Sequence, residues 1–222
     1  MKCKKQISIF RINLFFILFT LFQNSISAQC WVKVSSKGNS TIAIKNNGTL
    51  WAWGLNNSGQ LGDGTNTNRS IPVQIGTSNN WKHISAGYSS CYAIKNDGTL
   101  WAWGYNGAGH LGDGTLINRN VPTQIGTSND WKIVEAGSYS ILALKNNGTL
   151  WAWGNTLSGP LGNGTLNNST VPIQIGTNND WKEIANNDKH RLALKTNGTL
   201  WAWGYNQYGE LGNGSTSTTF TL

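Results

Sequence analysis

The groups able to move protons, attack a bond or ligate a metal are few and scattered in this chain. Three histidines, His83, His110 and His190, are joined by only nine acids and three cysteines in 222 residues. A frame for comparing them comes from the tetrapeptide Trp-Ala-Trp-Gly, which starts at Trp51, Trp101, Trp151 and Trp201 and so recurs every 50 residues. In that frame the histidines fall in three different columns, and Glu135, Glu183 and Glu210 are equally dispersed. Repeat symmetry therefore does not bring them together. The chain also lacks a Ser-His-Asp order, HExxH, CxxC and a glycine loop leading into a helix. A catalytic site needs several roles in mutual reach. The residues thus predict a protein that is not an enzyme, with no catalytic residues and no cofactor.

Metal binding fares no better. Asp63 and Asp113 sit in the sequence Leu-Gly-Asp-Gly-Thr, but Asn163 and Asn213 replace them in the other copies and no second carboxylate follows at ligand spacing. Calcium takes roughly six to eight oxygens. The segment is expected to be a tight glycine turn without a metal.

Binding is more legible, because it is written where the copies differ. Gly38, Tyr88, Ser138 and Asp188 share one column, Leu55, Tyr105, Asn155 and Tyr205 a second, and Gln60, His110, Pro160 and Glu210 a third. All three columns fall in loops. A rigid scaffold that displays varied aromatic and polar loop residues on one face is built for recognition. The expected partner-binding residues are Tyr88, Tyr105, His110, Tyr139, Tyr205 and Tyr208. A protein partner of unknown identity is expected, with no nucleic acid and no membrane insertion.

The elements that must position these loops are short strands. Each repeat holds an apolar run such as Ile42-Ala43-Ile44, then Asn47-Gly48 (Asp97-Gly98 in the second copy), then Leu-Trp-Ala-Trp. Asn-Gly predicts a two-residue type I′ hairpin turn. That register pairs Ile44 with Trp51 and Ile42 with Trp53, leaving Ala43 opposite Ala52 on the other face. All 12 tryptophans lie in repeat-fixed columns, which assigns them to the core. With a strand beginning at Trp81 and a short one beyond Pro72, each unit supplies four strands, the content of one β-propeller blade. The fold expected is all-β, with blades at 31–80, 81–130, 131–180 and an incomplete 181–222.

Residues 1–28 are set apart. Lys2, Lys4, Lys5 and Arg11 precede an apolar run at 14–22 that is too short for a membrane span of about 20 residues, and small residues follow up to Ala28. This is the pattern of a secretory signal peptide, and it predicts a protein exported or held at the cell surface. Removing the segment leaves 13 Lys and Arg against nine acids, so the formal charge of +8 falls to +4. Seven of those cations recur in two columns, Lys45, Lys95, Lys145, Lys195 and Lys82, Lys132, Lys182. Charges spread round a repeat array are expected to solvate blade edges. Export permits a disulfide between Cys30 and Cys91, but their non-equivalent columns do not imply one.

A leading Trp, an alternating strand, Ala86-Gly87, an Ala-Ile/Leu-Lys strand, Asn/Asp-Gly, then Trp53-Gly54-x-Asn56-x-x-Gly59-x-Leu61-Gly62 and a later Pro72 resemble the repeat of the regulator of chromosome condensation family. The likeness extends over residues 31–222 and is similar in repeat to a secreted bacterial branch that includes a β-lactamase inhibitor protein. It implies a propeller usually of seven blades, and activities that differ among members, nucleotide exchange being that of the founding nuclear type. Ser40, Ser90 and Ser140 depart from the histidine that family repeats often carry after Ala-Gly, and only His190 keeps it. The leading expectation is a secreted, non-catalytic protein-binding module. Alternatives are a non-catalytic domain of a larger exported enzyme or adhesin, and a guanine-nucleotide exchange regulator. Four blades cannot close a ring curved for seven, so an incomplete propeller is expected to self-associate.

Overall fold

The computed structural model describes residues 30–157 and 159–219; the expected signal peptide lies outside the described residues. Among the described residues, fifteen strands form four antiparallel sheets, one per repeat. Blade 1 is β1 (Trp31–Lys37), β2 (Ser40–Lys45), β3 (Leu50–Gly54) and β4 (Arg69–Gln74). Blade 2 is β5 (Trp81–Ala86), β6 (Ser90–Lys95), β7 (Leu100–Gly104) and β8 (Arg119–Gln124). Blade 3 is β9 (Trp131–Ala136), β10 (Ser140–Lys145), β11 (Leu150–Gly154) and β12 (Ser169–Gln174). Blade 4 has β13 (Trp181–Asn186), β14 (His190–Lys195) and β15 (Leu200–Gly204), with a bridge from Gly204 to Thr219 where blade 1 pairs Gly54 with Arg69. The first strands β1, β5, β9 and β13 pack on one another in succession and so lie nearest the axis. The last strands β4, β8 and β12 are largely exposed at the rim.

The hairpin turn differs from the sequence expectation, and the difference reassigns both faces of every blade. The loop holds three residues: Lys45 N–H donates to Thr49 O at 3.0 Å, and Gly48 N–H to Lys45 O at 2.9 Å. Only the glycine has positive φ, +78° at Gly48, whereas a type I′ turn needs it at two positions. This is a type I turn followed by a left-handed glycine. The asparagine serves a different purpose, its Oδ1 accepting from Thr49 N–H and, at 2.7 Å, from Thr49 Oγ1. One extra loop residue moves the register by one. Ile42 pairs with Ala52 and Ile44 with Leu50, while Ala43 pairs with Trp51 and Thr41 with Trp53.

Each blade therefore has an aliphatic face and a tryptophan face, and the two meet between neighbours. Ile42, Ile44, Leu50 and Ala52 of blade 1 pack on Trp81, Ile84, Ala93 and Trp103 of blade 2. Blades 2 and 3, and then 3 and 4, repeat the arrangement with Trp153 and Trp203 at 0% exposure. A buried tryptophan removes about 200 Å² from water, on the order of 5 kcal/mol of gross transfer free energy. That term dominates each junction.

The lysines of the first column do not solvate an edge. Lys45, Lys145 and Lys195 are buried, each ammonium lying against a tryptophan pair whose rings stand edge to face. Lys45 Nζ is 3.3 Å from the Trp51 ring centroid and 4.9 Å from that of Trp31. The register explains this, because Lys45 shares a face with Trp51. In blades 3 and 4 the charge is also met by Asp130 at 3.0 Å and Asp180 at 3.1 Å.

The turn glycines provide a test. A Cβ on Gly98 (φ +81°) would meet Asn129 O at 2.0 Å, whereas one on Gly198 (φ +86°) meets nothing within 4 Å. Gly198→Val should cost the left-handed strain alone, about 1–2 kcal/mol. Gly98→Val adds a backbone clash and should lower the melting temperature distinctly further. Equal shifts in thermal melts would contradict the three-residue turn and its packing on the next connection.

Candidate functional site

The loops that vary among the repeats emerge together at one end of the blades. The connection from the first to the second strand touches the start of the long third-to-fourth connection: Leu55, Tyr105, Asn155 and Tyr205 donate N–H to the carbonyls of Asn39, Ser89, Tyr139 and Lys189. At the opposite end the hairpin turn meets the interblade connection, as Trp81 N–H donates to Gly48 O and Asn96 N–H to Asn80 O.

One buried asparagine organises the long loop in blades 1, 2 and 4. Asn56 Nδ2 donates to Asp63 Oδ1 at 3.0 Å and to the carbonyls of Thr65 and Thr67, while its Oδ1 accepts Leu61 N–H at 2.9 Å. Asn106 and Asn206 repeat this pattern. In blade 3 Thr156 stands in, with Oγ1 donating to Leu166 O at 2.6 Å. The Asp63 and Asp113 carboxylates are engaged inside their loops by Thr65 and Arg69, and by Thr115 and Arg119. Desolvation pushes these two carboxyls up, and the hydrogen bonds from Thr, Arg and Asn outweigh it, so both titrate below the usual carboxylate range. Such a loop keeps its frame while its exposed positions change.

Four of the six residues expected to bind a partner converge. Tyr88, Tyr105 and His110 of blade 2 and Tyr139 of blade 3 line a cavity of about 180 Å³, with Ser89, Ser90 and Ser138. The His110 ring lies between Tyr105, centroids 5.5 Å apart, and Tyr139, 6.1 Å apart. The three tyrosines are 41% to 57% exposed, and His110 is only 4% exposed. Both blades anchor its backbone: His110 O accepts from Tyr92 Oη and from Trp153 Nε1, each at 2.8 Å. Of the serines, Ser138 lies in one of the variable columns and Ser90 stands where family repeats often carry histidine, while Ser89 carried no distinguishing signal in the sequence.

Tyr205 and Tyr208 lie apart, on blade 4. Lys189 Nζ stacks 4.9 Å from the Tyr205 ring, and Tyr208 is 83% exposed. The other histidines are elsewhere too. His83 Nε2 lies 2.9 Å from Val134 O on the inner strands, and His190 begins β14. Across the mouth of the axis, Asp188 of blade 4 accepts from Ser138 Oγ and pairs with Lys37 of blade 1 at 3.1 Å. Cys91 is a free, fully buried thiol whose pKa is pushed up to about 12 by desolvation, so no disulfide joins it to Cys30.

Burial also sets the charge of the cavity floor. Neither His110 ring nitrogen has a hydrogen-bonding partner among the described residues, and desolvation lowers its pKa from 6.5 to about 4. Desolvation lowers the pKa of His83 as well, aided by the charges of Lys33 and Lys82 and opposed by its bond to Val134 O. For His110, between pH 6.5 and about 4, the unfolded chain takes up a proton that the folded chain refuses, so stability falls as pH falls through that window. His110→Gln installs the residue that blade 1 buries at the same place, Gln60. Its melting temperature should therefore fall less steeply with acid than that of the parent protein. Matching pH profiles would show that His110 is not held neutral.

The sequence matches the model of the regulator of chromosome condensation (RCC1) repeat at residues 47–94, 97–144 and 147–194. A second model of that repeat matches at 31–60, 81–109, 131–159 and 181–210. No curated protein sequence matches significantly. Among solved structures, human WBSCR16 is similar with TM-score 0.77 at 24% identity, over 87% of this chain and 52% of that one. Yeast RCC1 (Prp20), solved bound to Kap60, gives 0.74 at 21% identity, over 89% of this chain and 49% of that one. Prp20p from Saccharomyces cerevisiae, described with its binding to Gsp1p and histones, gives 0.73 at 22% identity, over 89% and 51%. At these identities the likeness shows the fold, and the chain spans about half the length of the structures it matches. On the repeat matches, which reach all four blades, the chain belongs to the regulator of chromosome condensation (RCC1) repeat family.

Proposed function

We propose that this propeller is a secreted, non-catalytic binding module that grips a protein partner with its variable loop end, centred on the cavity of Tyr88, Tyr105, His110 and Tyr139. The observation that carries the reading is the convergence itself: four residues from variable positions of two blades meet at one cavity on an otherwise repetitive frame. Exposed tyrosines around a neutral, buried histidine offer aromatic area at low entropic cost, which suits protein recognition. Solved relatives bound to Kap60, or described with Gsp1p and histones, support a protein as the kind of partner. Lys45, Lys145 and Lys195 point into tryptophan pairs, which takes that lysine column out of any exposed basic surface. Export rests on the signal-peptide pattern of residues 1–28.

A photo-crosslinking residue in place of Tyr105 should capture a protein from the surface or medium of the producing cells, and the same residue at Asn146, on the opposite end, should not. Tyr88→Ala, Tyr105→Ala and Tyr139→Ala remove exposed rings, so each should change stability by no more than about 0.5 kcal/mol. Together they should weaken capture of that partner at least tenfold. Undiminished capture by the folded triple variant, or equal capture from Asn146, would reject this face as the interface.

A further inference from the structure

The cavity of Tyr88, Tyr105, His110 and Tyr139 contains a polar group with nothing to bond. His110 is 4% exposed, yet neither of its ring nitrogens has a partner among the described residues. Buried polar groups are nearly always hydrogen-bonded, because an unmet one costs stability. Both blades anchor the His110 backbone, and the ring lies between Tyr105 and Tyr139, so the unmet nitrogens are a fixed feature of the cavity.

The protons around the cavity show what kind of group would complete it. Tyr92 Oη donates to His110 O at 2.8 Å, which leaves Ser90 Oγ as the donor in its 3.0 Å bond to Tyr92 Oη. Ser138 Oγ gives its proton to the Asp188 carboxylate. Both hydroxyls therefore have only lone pairs left to offer. The rings of Tyr88, Tyr105 and Tyr139 add π faces that carry partial negative charge, and the imidazole, held neutral by desolvation, adds one more lone pair. Among the described residues no lysine or arginine lines the cavity. Lys37, which pairs with Asp188 at 3.1 Å, is also engaged by Ala136 O. The remaining donors, the tyrosine hydroxyls, Ser89 and the imidazole N–H, are neutral, so an anion brought here would lose hydration with no opposite charge in return. A cation rich in N–H groups meets π faces and lone pairs.

The chain itself uses this chemistry one junction on. Ser140 is the blade-3 counterpart of Ser90, and its Oγ accepts from Nη2 of Arg191, a fully buried guanidinium of blade 4. Leu142 stands where blade 2 has Tyr92, and the arginine takes the phenol's place as the serine's partner.

We infer that the cavity receives a positively charged side chain, arginine or lysine, of the protein partner, its head group stacked on the tyrosine rings and its N–H groups donated to His110, Ser90 and Ser138. This rests on the reading of the variable loop end as the partner-binding face and names what that face recognises. Arginine is the better fit, because a planar guanidinium stacks on a ring while several donors at its edge reach the acceptors. At about 180 Å³ the cavity has room for one such head group.

Titration of capped tripeptides into the full chain, followed by NMR of isotope-labelled tyrosine and histidine rings, tests this. The probes are acetyl-Gly-Xaa-Gly-amide peptides in which Xaa is arginine, lysine, citrulline, norleucine or glutamate. The arginine peptide should bind at least fivefold tighter than citrulline, its neutral isostere, and the lysine peptide at least threefold tighter than norleucine, with the Tyr105 and His110 rings shifting. Glutamate should bind most weakly. Tyr105→Phe keeps the ring face and should keep the arginine preference, whereas Tyr105→Leu removes it and should narrow that preference at least twofold. Both change an exposed side chain and should melt with the parent. Neutral peptides binding as tightly as their charged counterparts, glutamate binding tightest, rings that no peptide shifts, or a preference that Tyr105→Leu leaves intact would each overturn the inference. The interface itself stands or falls separately, because crosslinking from Tyr105 reads contact whatever side chain the partner inserts: capture alongside any of those results would keep the face and remove only the cation.

Discussion

The fit of a tryptophan face onto an aliphatic face is the interaction on which the rest of this structure depends. It recurs at three junctions with the same columns in contact, Leu50, Leu100 and Leu150 on one side and Trp81, Trp131 and Trp181 on the other. A single blade cannot bury its own apolar surface, because a twisted four-stranded sheet has two faces and no interior. Stability therefore resides between repeats, as in other quasi-one-dimensional proteins. The two faces differ, so the stacking has a direction, and a direction leaves unlike ends.

That direction is set by a local detail of the turn. The three-residue loop ending in a left-handed glycine puts both tryptophans of Trp-Ala-Trp-Gly on the same face as Ala43 and Lys45. The small alanine makes room for the neighbour's leucines, and the lysine lies over the tryptophan rings with its charge against their π faces. A two-residue loop would have placed isoleucine among the tryptophans and moved the lysine to the other side. The same glycine brings the turn against the next interblade connection, tying hairpin geometry to blade stacking.

With the strands so constrained, variation is confined to one end. A buried asparagine, or Thr156 in blade 3, holds each long loop from within, so the side chains at positions such as Tyr105 and Tyr205 can change while the loop keeps its frame. The cavity at His110 is the consequence. Its floor is fixed by Tyr92 and Trp153 from two blades, while its rim is made of residues that the repeat does not dictate.

The sequence by itself determined the repeat, the strand content, the propeller class and the end of the blade at which variation gathers. Each of these depends on spacing and composition, which a period of 50 residues displays openly. It also placed all the tryptophans in the core, which holds for Trp81, Trp103, Trp131, Trp153, Trp181 and Trp203, whereas Trp51, Trp53, Trp101 and Trp151 are half-buried and Trp31 and Trp201 exposed, because burial of a column depends on whether a neighbouring blade covers it. Tertiary structure decided the rest. The register was misread because Asn-Gly serves two turn types, and only the packing of the turn on the next connection chooses between them. Lys45 looked like a solvated edge charge because a sequence shows charge but not which rings lie across the strand. Of six variable-end residues, Tyr88, Tyr105, His110 and Tyr139 share a cavity while Tyr205 and Tyr208 do not, for proximity across a blade junction depends on which blade follows.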